Sequence, residues 1–439
     1  MNKYNKKILT AILLTAALAT SAAAADCENL RQLIELADKN NPVIFAQQQK
    51  ENRVEAVVNE NAAKMGPKLT GIYAAMWQEN PIFDMTSLFS GLSPMIQIPE
   101  VNNAFTKNNI FISAAVLTRT IYAGGSLTSA KAAAKLARDA TKAETVRTTQ
   151  TIENSVRRAY YNYKRAEAKK IVAEDALALT KEHLEQAQKL LKGGMIPKAD
   201  VLRAQVAVSE AELNLIKAKN AIELAKTALR RITAADFPDT LLAGEDGARN
   251  YKDYAAADEN KAFENRAELK MYDFYSKQAA KIAKAHQGET IPHILGFGAI
   301  TANGSEAWPE DNKNWHIGLA ATWKMFDSGE AHASTEQAKS QSKEFLYRLE
   351  DKKNEIRMEI TQAALNLKEA LTRLEVAEKQ YIQAKEDYRI SALRYKENIG
   401  TNLDMLDARL ALTNSRTNVV DARYDIVIAD ANLRYAMGE

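Results

Sequence analysis

The chain has 439 residues with only 9 Pro, 17 Gly and one Cys, and 46% of its residues are hydrophobic. This composition, rich in Ala, Lys and Glu, favours long helices over compact α/β domains, and a single Cys excludes an internal disulfide. The formal charge of +3 falls to about zero without the three lysines of the first seven residues, which argues against nucleic acid as a partner.

Residues 1–25 have the pattern of a removable secretory signal. Lysines precede an apolar run over residues 8–19, and Ala23-Ala24-Ala25 offers a cleavage site of small residues. The alternative is an uncleaved membrane helix, but the run is shorter than the roughly 20 residues that span a bilayer. Cys27 would be second in the mature chain, and Asp26 before it disfavours acylation. No later segment approaches the roughly 18 consecutive apolar residues of a membrane helix.

Residues 26–232 are predicted to form the first of two structural repeats. A helical pattern from Glu28 is broken at Asn41, and a new helix can begin at Pro42. The period then changes to two, which predicts a β-hairpin over about 67–123. A long helical hairpin follows over 125–232, with its tip at 193–200. At 1.5 Å per residue, its first helix alone would be on the order of 100 Å long.

Residues 233–260 form the predicted linker, and residues 261–439 repeat the plan. A second β-hairpin is predicted over about 292–327, with strands from Pro292 to Thr301 and from His316 to Asp327. The loop between them carries Asn303-Gly304. A second long helical hairpin is predicted over 329–436, with its tip at 397–404.

A strict seven-residue frame marks the helix after each tip. Each heptad has one large and one small seam position, which is typical of a coiled coil whose helices approach closely. Adding 204 to the numbers of the first seam gives the second seam, so the frame is duplicated. The seam residues are Val201, Val208, Leu215, Ile222 and Leu229 with Ala204, Ala211, Ala218, Ala225 and Ile232, and then Met405, Leu412, Val419, Ile426 and Leu433 with Ala408, Ser415, Ala422, Ala429 and Ala436.

The four predicted strands pose an edge problem, because unpaired strand edges are not tolerated in lipid. Four strands are too few to close a barrel, so two or more chains would have to share one. A membrane barrel predicts an apolar outward face with aromatic residues, which Tyr73, Trp77, Phe297 and Trp323 partly supply.

Several of these features together resemble the TolC-type outer membrane efflux proteins over essentially the whole mature chain. They are the duplicated plan and the strand exits Tyr-Ala-Gly-Gly at 122–125 and Phe-Asp-Ser-Gly at 326–329. The tip segments Gly-Met-Ile-Pro-Lys-Ala-Asp-Val-Leu-Arg-Ala at 194–204 and Ile-Gly-Thr-Asn-Leu-Asp-Met-Leu-Asp-Ala at 399–408 add to the likeness.

The resemblance implies a mostly helical protein with a small β part. It implies a homotrimer with a twelve-stranded barrel in the lipid of the outer membrane, continued by a twelve-helix periplasmic tunnel. It also implies docking to a periplasmic adaptor and an inner-membrane pump, and export of small molecules or secreted proteins. A specific cargo does not follow from the sequence.

Four residues near the tips are candidates for a gate or selectivity site. Asp404 and Asp407 are three apart on one helical face, and in a symmetric trimer they would form two stacked carboxylate rings that favour cations. The resemblance implies that this pair lines the constriction. Asp200 is either a gate residue or a carboxylate favoured at a helix N-terminus. Tyr395 matches a tyrosine that helps to hold the tip closed in the family, and the alternative is an aromatic residue of the seam.

The tip turns themselves are candidates for adaptor contact. Gly194 can supply the left-handed residue that ends a helix, and Asn398 holds the equivalent place in the second copy. Met195, Ile196 and Ile399 are apolar, and they either cover their own turn or meet the adaptor. In some members of the family an arginine that latches the tip stands where this chain has Gly400, so other contacts must hold a closed state.

An enzyme, a cofactor and a metal site are not expected. The five histidines have no metal-ligand spacing, the single Cys cannot form a thiolate site, and Gly193-Gly194 is not followed by the lysine of a phosphate loop. The alternative function is an elongated periplasmic adaptor or structural protein without a pore. Such adaptors usually need a membrane anchor or a lipid, and the sequence shows neither.

Overall fold

The computed structural model describes residues 28–77, 109–242, 254–308, 313–397 and 399–439. The predicted signal, Cys27 and Asn398 lie outside these residues, as do parts of the linker and of both predicted hairpin loops.

Four helices and two strands make up the first half of the described chain. Helices α1 (Glu28–Asn40) and α2 (Pro42–Ala63) precede strands β1 (Lys68–Trp77) and β2 (Asn109–Ala123), and helices α3 (Ser126–Lys192) and α4 (Lys198–Thr233) follow. Helix α2 begins at Pro42 as predicted. Asn41 fixes the break before it: its side chain accepts from Val43 N at 2.8 Å and donates to Ile232 O at 2.7 Å.

The second half repeats this order. Helices α5 (Glu259–Asn265) and α6 (Ala267–Gly288) precede strands β3 (His293–Gly304) and β4 (Asn314–Thr322), and helices α7 (Glu330–Lys396) and α8 (Asn402–Ala436) follow. Helices α3 and α7 both have 67 residues. Adding 225 to the bounds of α2 gives those of α6, and adding 204 to the bounds of α3 gives those of α7. The predicted duplication is confirmed.

The four strands form one antiparallel sheet in the order β1-β2-β3-β4. Strands β2 and β3 belong to different repeats, and their ladder runs from Phe111 opposite Gly304 to Ala123 opposite His293. A register shift between Thr120 and Tyr122 interrupts it. This ladder between β2 and β3 joins the two hairpins into a single sheet.

One face of the sheet exposes large apolar side chains. Leu69 lies opposite Leu117, and Ile317 lies on the same face two strands further on. The exposed side chains of this face are Leu69, Tyr73, Trp77, Leu117, Ile300, Trp315, Ile317 and Leu319. Because side chains alternate along a strand, Phe297, which pairs with Thr118 and Gly318, lies on the other face. The expectation that Phe297 belongs with Tyr73 and Trp77 is therefore wrong.

Two strand boundaries differ from the prediction. Strand β3 continues through Asn303 and Gly304, which were expected in a loop, because they pair with Ile112 and Phe111 of β2. Strand β4 ends at Thr322, five residues before the predicted Asp327, since its last partner on β3 is His293. Asp327 instead accepts hydrogen bonds from Gly329 N and Ala331 N at 3.0 Å, at the start of α7.

The heptad seams of α4 and α8 face inward as predicted. Every seam residue of both helices is buried or half-buried. In the first hairpin Ala187 of α3 packs with Val201 and Ala204, and in the second Ala377 of α7 packs with Val419 and Ala422. Small residues on both sides allow the close approach of the helices.

The described chain has two compact units. One contains the described residues 28–48, 143–242, 254–269, 351–397 and 399–439, and the other contains residues 49–77, 109–142, 270–308 and 313–350. Each unit draws segments from both repeats. No helix among the described residues is long and apolar enough to cross a membrane.

A buried arginine lies at the C-terminal end of α8 in the first unit. Arg266 is 1% exposed and donates to both oxygens of Glu268, to Glu359 at 2.7 Å and to Ala436 O at 2.8 Å. Arg147 of α3 also pairs with Glu268 at 2.8 Å. Four helices are thereby joined at the end of α8.

Candidate functional site

The turn after α3 is closed by backbone hydrogen bonds. Met195 N donates to Leu190 O at 3.0 Å, and Gly194 N donates to Leu191 O at 2.9 Å, which is the pattern of a Schellman motif. Gly194 has φ +71°, and a Cβ there would meet nothing within 4 Å. Backbone conformation, not space, therefore requires glycine at this position.

The turn after α7 has the equivalent closing bond. Ile399 N donates to Arg394 O at 2.9 Å, and Gly400 N donates to the same oxygen at 3.0 Å. A Cβ on Gly400 would lie 3.0 Å from Arg394 Cβ and 3.1 Å from Tyr395 N. Because the turn passes so close to α7, a side chain at position 400 would push the two apart.

Asp404 and Asp407 lie on an exposed face of α8, one turn from its start. Asp404 also caps that helix: Asp404 N donates to Thr401 Oγ1 at 3.1 Å, and Thr401 N donates to Asp404 Oδ2 at 3.3 Å. The hydrogen bonds from Thr401 hold the pKa of Asp404 below its ordinary value. Its carboxylate is therefore charged at neutral pH, whatever its further role.

Asp200 and Tyr395 lie near each other on α4 and α7. The Asp200 carboxylate pairs with Arg203 at 3.4 Å, and no side chain caps α4. Tyr395 is 3% exposed, and its hydroxyl has no hydrogen-bond partner among the described residues. Burial, with a smaller effect from Asp200, raises the pKa of Tyr395. Tyr395 is thus a buried contact between helices in this structure.

Two polar residues beside Tyr395 were not predicted as part of the site from the sequence. His183 of α3 and Asn402 of α8 are 2% and 4% exposed, and His183 Nε2 lies 2.7 Å from Asn402 Oδ1. Asn402 Nδ2 donates to Asp200 O at 3.2 Å, and the His183 and Tyr395 rings lie 5.0 Å apart.

The available sequence signal was a departure from the repeat. Subtracting 204 from Asn402 gives Lys198, and adding 204 to His183 gives Asp387, so neither residue is duplicated.

The three apolar tip residues differ in exposure. Met195 and Ile399 are 59% and 69% exposed, whereas Ile196 packs against the cluster of Ala187, Val201 and Ala204. Ile196 therefore covers its own turn, and the other two present apolar surface at the tips.

A groove of about 900 Å³ lies between α3, α7 and α8, and His183 and Met405 are among the residues that line it. Its charged lining is largely paired, since Arg416 binds Asp175 at 2.6 Å and Arg389 binds Glu386 at 2.6 Å. Within the described ranges, no group of three His, Cys, Asp or Glu residues could hold a metal ion.

The chain is similar to known outer membrane proteins over most of its length. A family model described as outer membrane efflux protein matches residues 33–235 and 260–439, most of the chain. The outer membrane protein TolC of Vibrio cholerae serotype O1 is 23% identical over 454 aligned positions, which cover 99% of this chain and 95% of the relative.

Solved structures share the fold. CusC matches with a TM-score of 0.80 at 16% identity, over 93% of this chain and 92% of its own. The Campylobacter jejuni CmeC outer membrane channel matches with a TM-score of 0.78 at 18% identity, over 95% of this chain and 87% of its own.

Proposed function

Because the chain belongs to the outer membrane efflux protein family, and is thus an outer membrane channel-tunnel for tripartite efflux, we propose that Asp404 and Asp407 form its cation-selecting periplasmic entrance. The protein lies in the outer membrane with a tunnel in the periplasm. The family consists of channels, so the alternative of an adaptor or structural protein without a pore is set aside. It is not a family of enzymes.

Channels of this family form trimers and work with adaptors and pumps. In a trimer of this chain, the outer edge of β1 would pair with β4 of the next copy. Three sheets of four strands would then close a shared twelve-stranded barrel. The exposed apolar side chains from Leu69 to Ile317 on one sheet face suit contact with lipid.

The observation that supports the entrance is the position of the two carboxylates. Both are exposed, both lie on the first turns of α8, and Asp404 keeps its charge because Thr401 stabilises the anion. Three copies around an axis would place six carboxylates at the mouth, where they raise the local concentration of cations.

Conductance in planar lipid bilayers tests this entrance. Asp404→Asn/Asp407→Asn removes both charges, while the amide introduced at position 404 keeps an oxygen that can accept from Thr401 N. We expect the permeability ratio of potassium to chloride to fall several-fold, without loss of the pore. Asp236→Asn is the matched control, since that carboxylate is 99% exposed and lies beyond the far end of α4. Unchanged selectivity in the double variant removes the proposed role.

We further propose that Met195 and Ile399 contact the adaptor. Exposed apolar side chains at the ends of helical hairpins mark an interaction surface, and burying them against a partner stabilises the complex. The dissociation constant for the purified adaptor of the same pump should rise about tenfold or more in Met195→Asp/Ile399→Asp. Leu224→Asp, on the equally exposed side of α4, is the control. Equal affinities in the two variants would disprove the contact.

A further inference from the structure

A chain of hydrogen bonds connects the two helical hairpins near their tips. His183 on α3 binds Asn402 at the start of α8 over 2.7 Å, and Asn402 binds the backbone of Asp200 at the start of α4 over 3.2 Å. The three residues all belong to one of the two compact units. We name the three residues His183, Asn402 and Asp200 the tip relay.

The relay fixes which nitrogen of His183 carries the proton. Asp200 offers a carbonyl oxygen, so the Asn402 amide must turn its NH₂ group toward Asp200 and its oxygen toward His183. An amide oxygen only accepts, so His183 Nε2 must be the N–H donor. The second nitrogen, Nδ1, is then unprotonated in the neutral ring.

The second nitrogen, Nδ1, has no acceptor for an N–H group among the described residues. His183 Nδ1 is buried and has no hydrogen-bond partner within the part of the chain that the structure describes. A proton on Nδ1 would create a buried cation with an unsatisfied N–H, which is strongly unfavourable.

The surroundings add to that penalty. From α7 the ring of Tyr395 packs on His183, and its neutral hydroxyl offers no counter-charge. From α8 the facing charge is Arg409, also a cation, and from α4 only the backbone oxygen of Asp200 enters the relay. Burial, reinforced by Arg409 and opposed by the Asn402 hydrogen bond, lowers the pKa of His183 below its ordinary value of 6.5.

We propose that the tip relay is a latch that holds the two hairpins together while His183 is neutral and is released when His183 is protonated. This rests on the proposed function, in which the tips are the entrance of the channel. The latch also supplies a side-chain contact between the hairpins, which Gly400 cannot supply because it has no side chain. A ring protonated on Nδ1 could bond water only by leaving this buried position, and Asn402 would then lose its donor.

The direction of the pH effect follows from linkage. With the relay formed, His183 resists protonation, whereas in an opened tip it would bind a proton near pH 6.5. The latch is therefore at full strength above that pH. As pH falls below it, the equilibrium constant for closing the latch decreases by up to about tenfold per pH unit, until the lowered pKa of His183 is reached. Asp404 stays ionised in this range because its pKa lies below 3.8.

The test compares the full-length channel at about pH 7.5 and pH 5.5 in planar bilayers. We expect the ratio of open to closed dwell time to rise up to about tenfold at the lower pH. His183→Gln keeps an N–H donor for Asn402 but cannot gain a proton, so it should stay closed at both values. Asn402→Ala removes the acceptor and should be open at both. His332→Gln, an exposed histidine of α7, should respond as the natural protein does.

A second measurement separates the latch from the channel. Hydrogen exchange of the amides of residues 399–405, corrected for intrinsic rates, should accelerate at pH 5.5 in the natural chain and not in His183→Gln. If no variant conducts, the proposed entrance fails while this measurement still tests the relay. A pH response that persists in His183→Gln, or is absent from the natural chain, overturns the latch.

Discussion

The buried Arg266 offers the sharpest test of what holds the end of α8 in place. Its guanidinium makes four hydrogen bonds of 2.7 to 3.0 Å, three to carboxylate oxygens of Glu268 and Glu359 and one to Ala436 O. Replacement by methionine keeps the hydrocarbon stem, takes the partner from Glu359 and leaves Glu268 with Arg147 alone. Removing one partner of a buried ion pair costs about 3–5 kcal/mol, and we expect that loss in the free energy of unfolding.

The pKa shifts agree with a charged network. Burial opposes the charge on Arg266, yet its bonds to Glu359 and Glu268 hold its pKa above the ordinary value. Burial likewise opposes the charge on Glu268, but Arg147 and Arg266 hold its pKa below 4.5. The contribution of Glu268 is therefore present above about pH 4.5 and is lost as pH falls through its lowered pKa.

Urea unfolding of the detergent-purified protein, followed by far-ultraviolet circular dichroism, measures the loss. Arg373→Met is the matched control, because that side chain is 51% exposed while pairing with Asp425 at 2.9 Å, and its loss should cost no more than about 1 kcal/mol. Adding Glu359→Gln to Arg266→Met should restore part of the stability by removing a stranded charge. If the two arginine variants differ by less than about 1 kcal/mol, the network does not stabilise the fold.

Three further changes have defined outcomes. Burial and the nearby Glu153 raise the pKa of Asp38 from 3.8 to about 6, so ionisation of Asp38 lowers the stability of the fold as pH rises through that range. Asp38→Asn should therefore stabilise the protein by on the order of 1–2 kcal/mol at pH 7.5 and should not do so at pH 4. The same urea assay measures both values. Gly318→Ala places a Cβ 2.8 Å from Phe297 Cζ and should lower stability by about 1–3 kcal/mol. Adding Phe297→Leu to the same chain should recover part of this loss. Equal stability of Gly318→Ala and the natural chain would contradict the contact. Thr401→Ala removes the capping box with Asp404 and should lower the free energy of unfolding by about 1 kcal/mol, whereas Thr401→Ser should change it little. Equal losses in the two variants would show that the Thr401 hydroxyl does not stabilise the helix start.

Of the candidate site, the sequence located the segments but not their contacts. Asp404 and Asp407 share one exposed face of α8 as predicted from their spacing, because helical geometry fixes which residues lie together. The capping role of Asp404 depends on the rotamers of Asp404 and Thr401, which no spacing specifies. His183 and Asn402 are 219 positions apart, so only the packing of two hairpins brings them together.

Sequence patterns alone predicted the duplication, two long helices of equal length and the inward seams, since periodicity, capping and turn residues act over short stretches of chain. Tertiary structure decided the pairing of β2 with β3, and with it the face that Phe297 occupies. The reason is that a change of one residue in the register between two strands would move every side chain of one strand to the opposite face of the sheet. Such a shift is set by which strands meet, and that is a property of the folded chain.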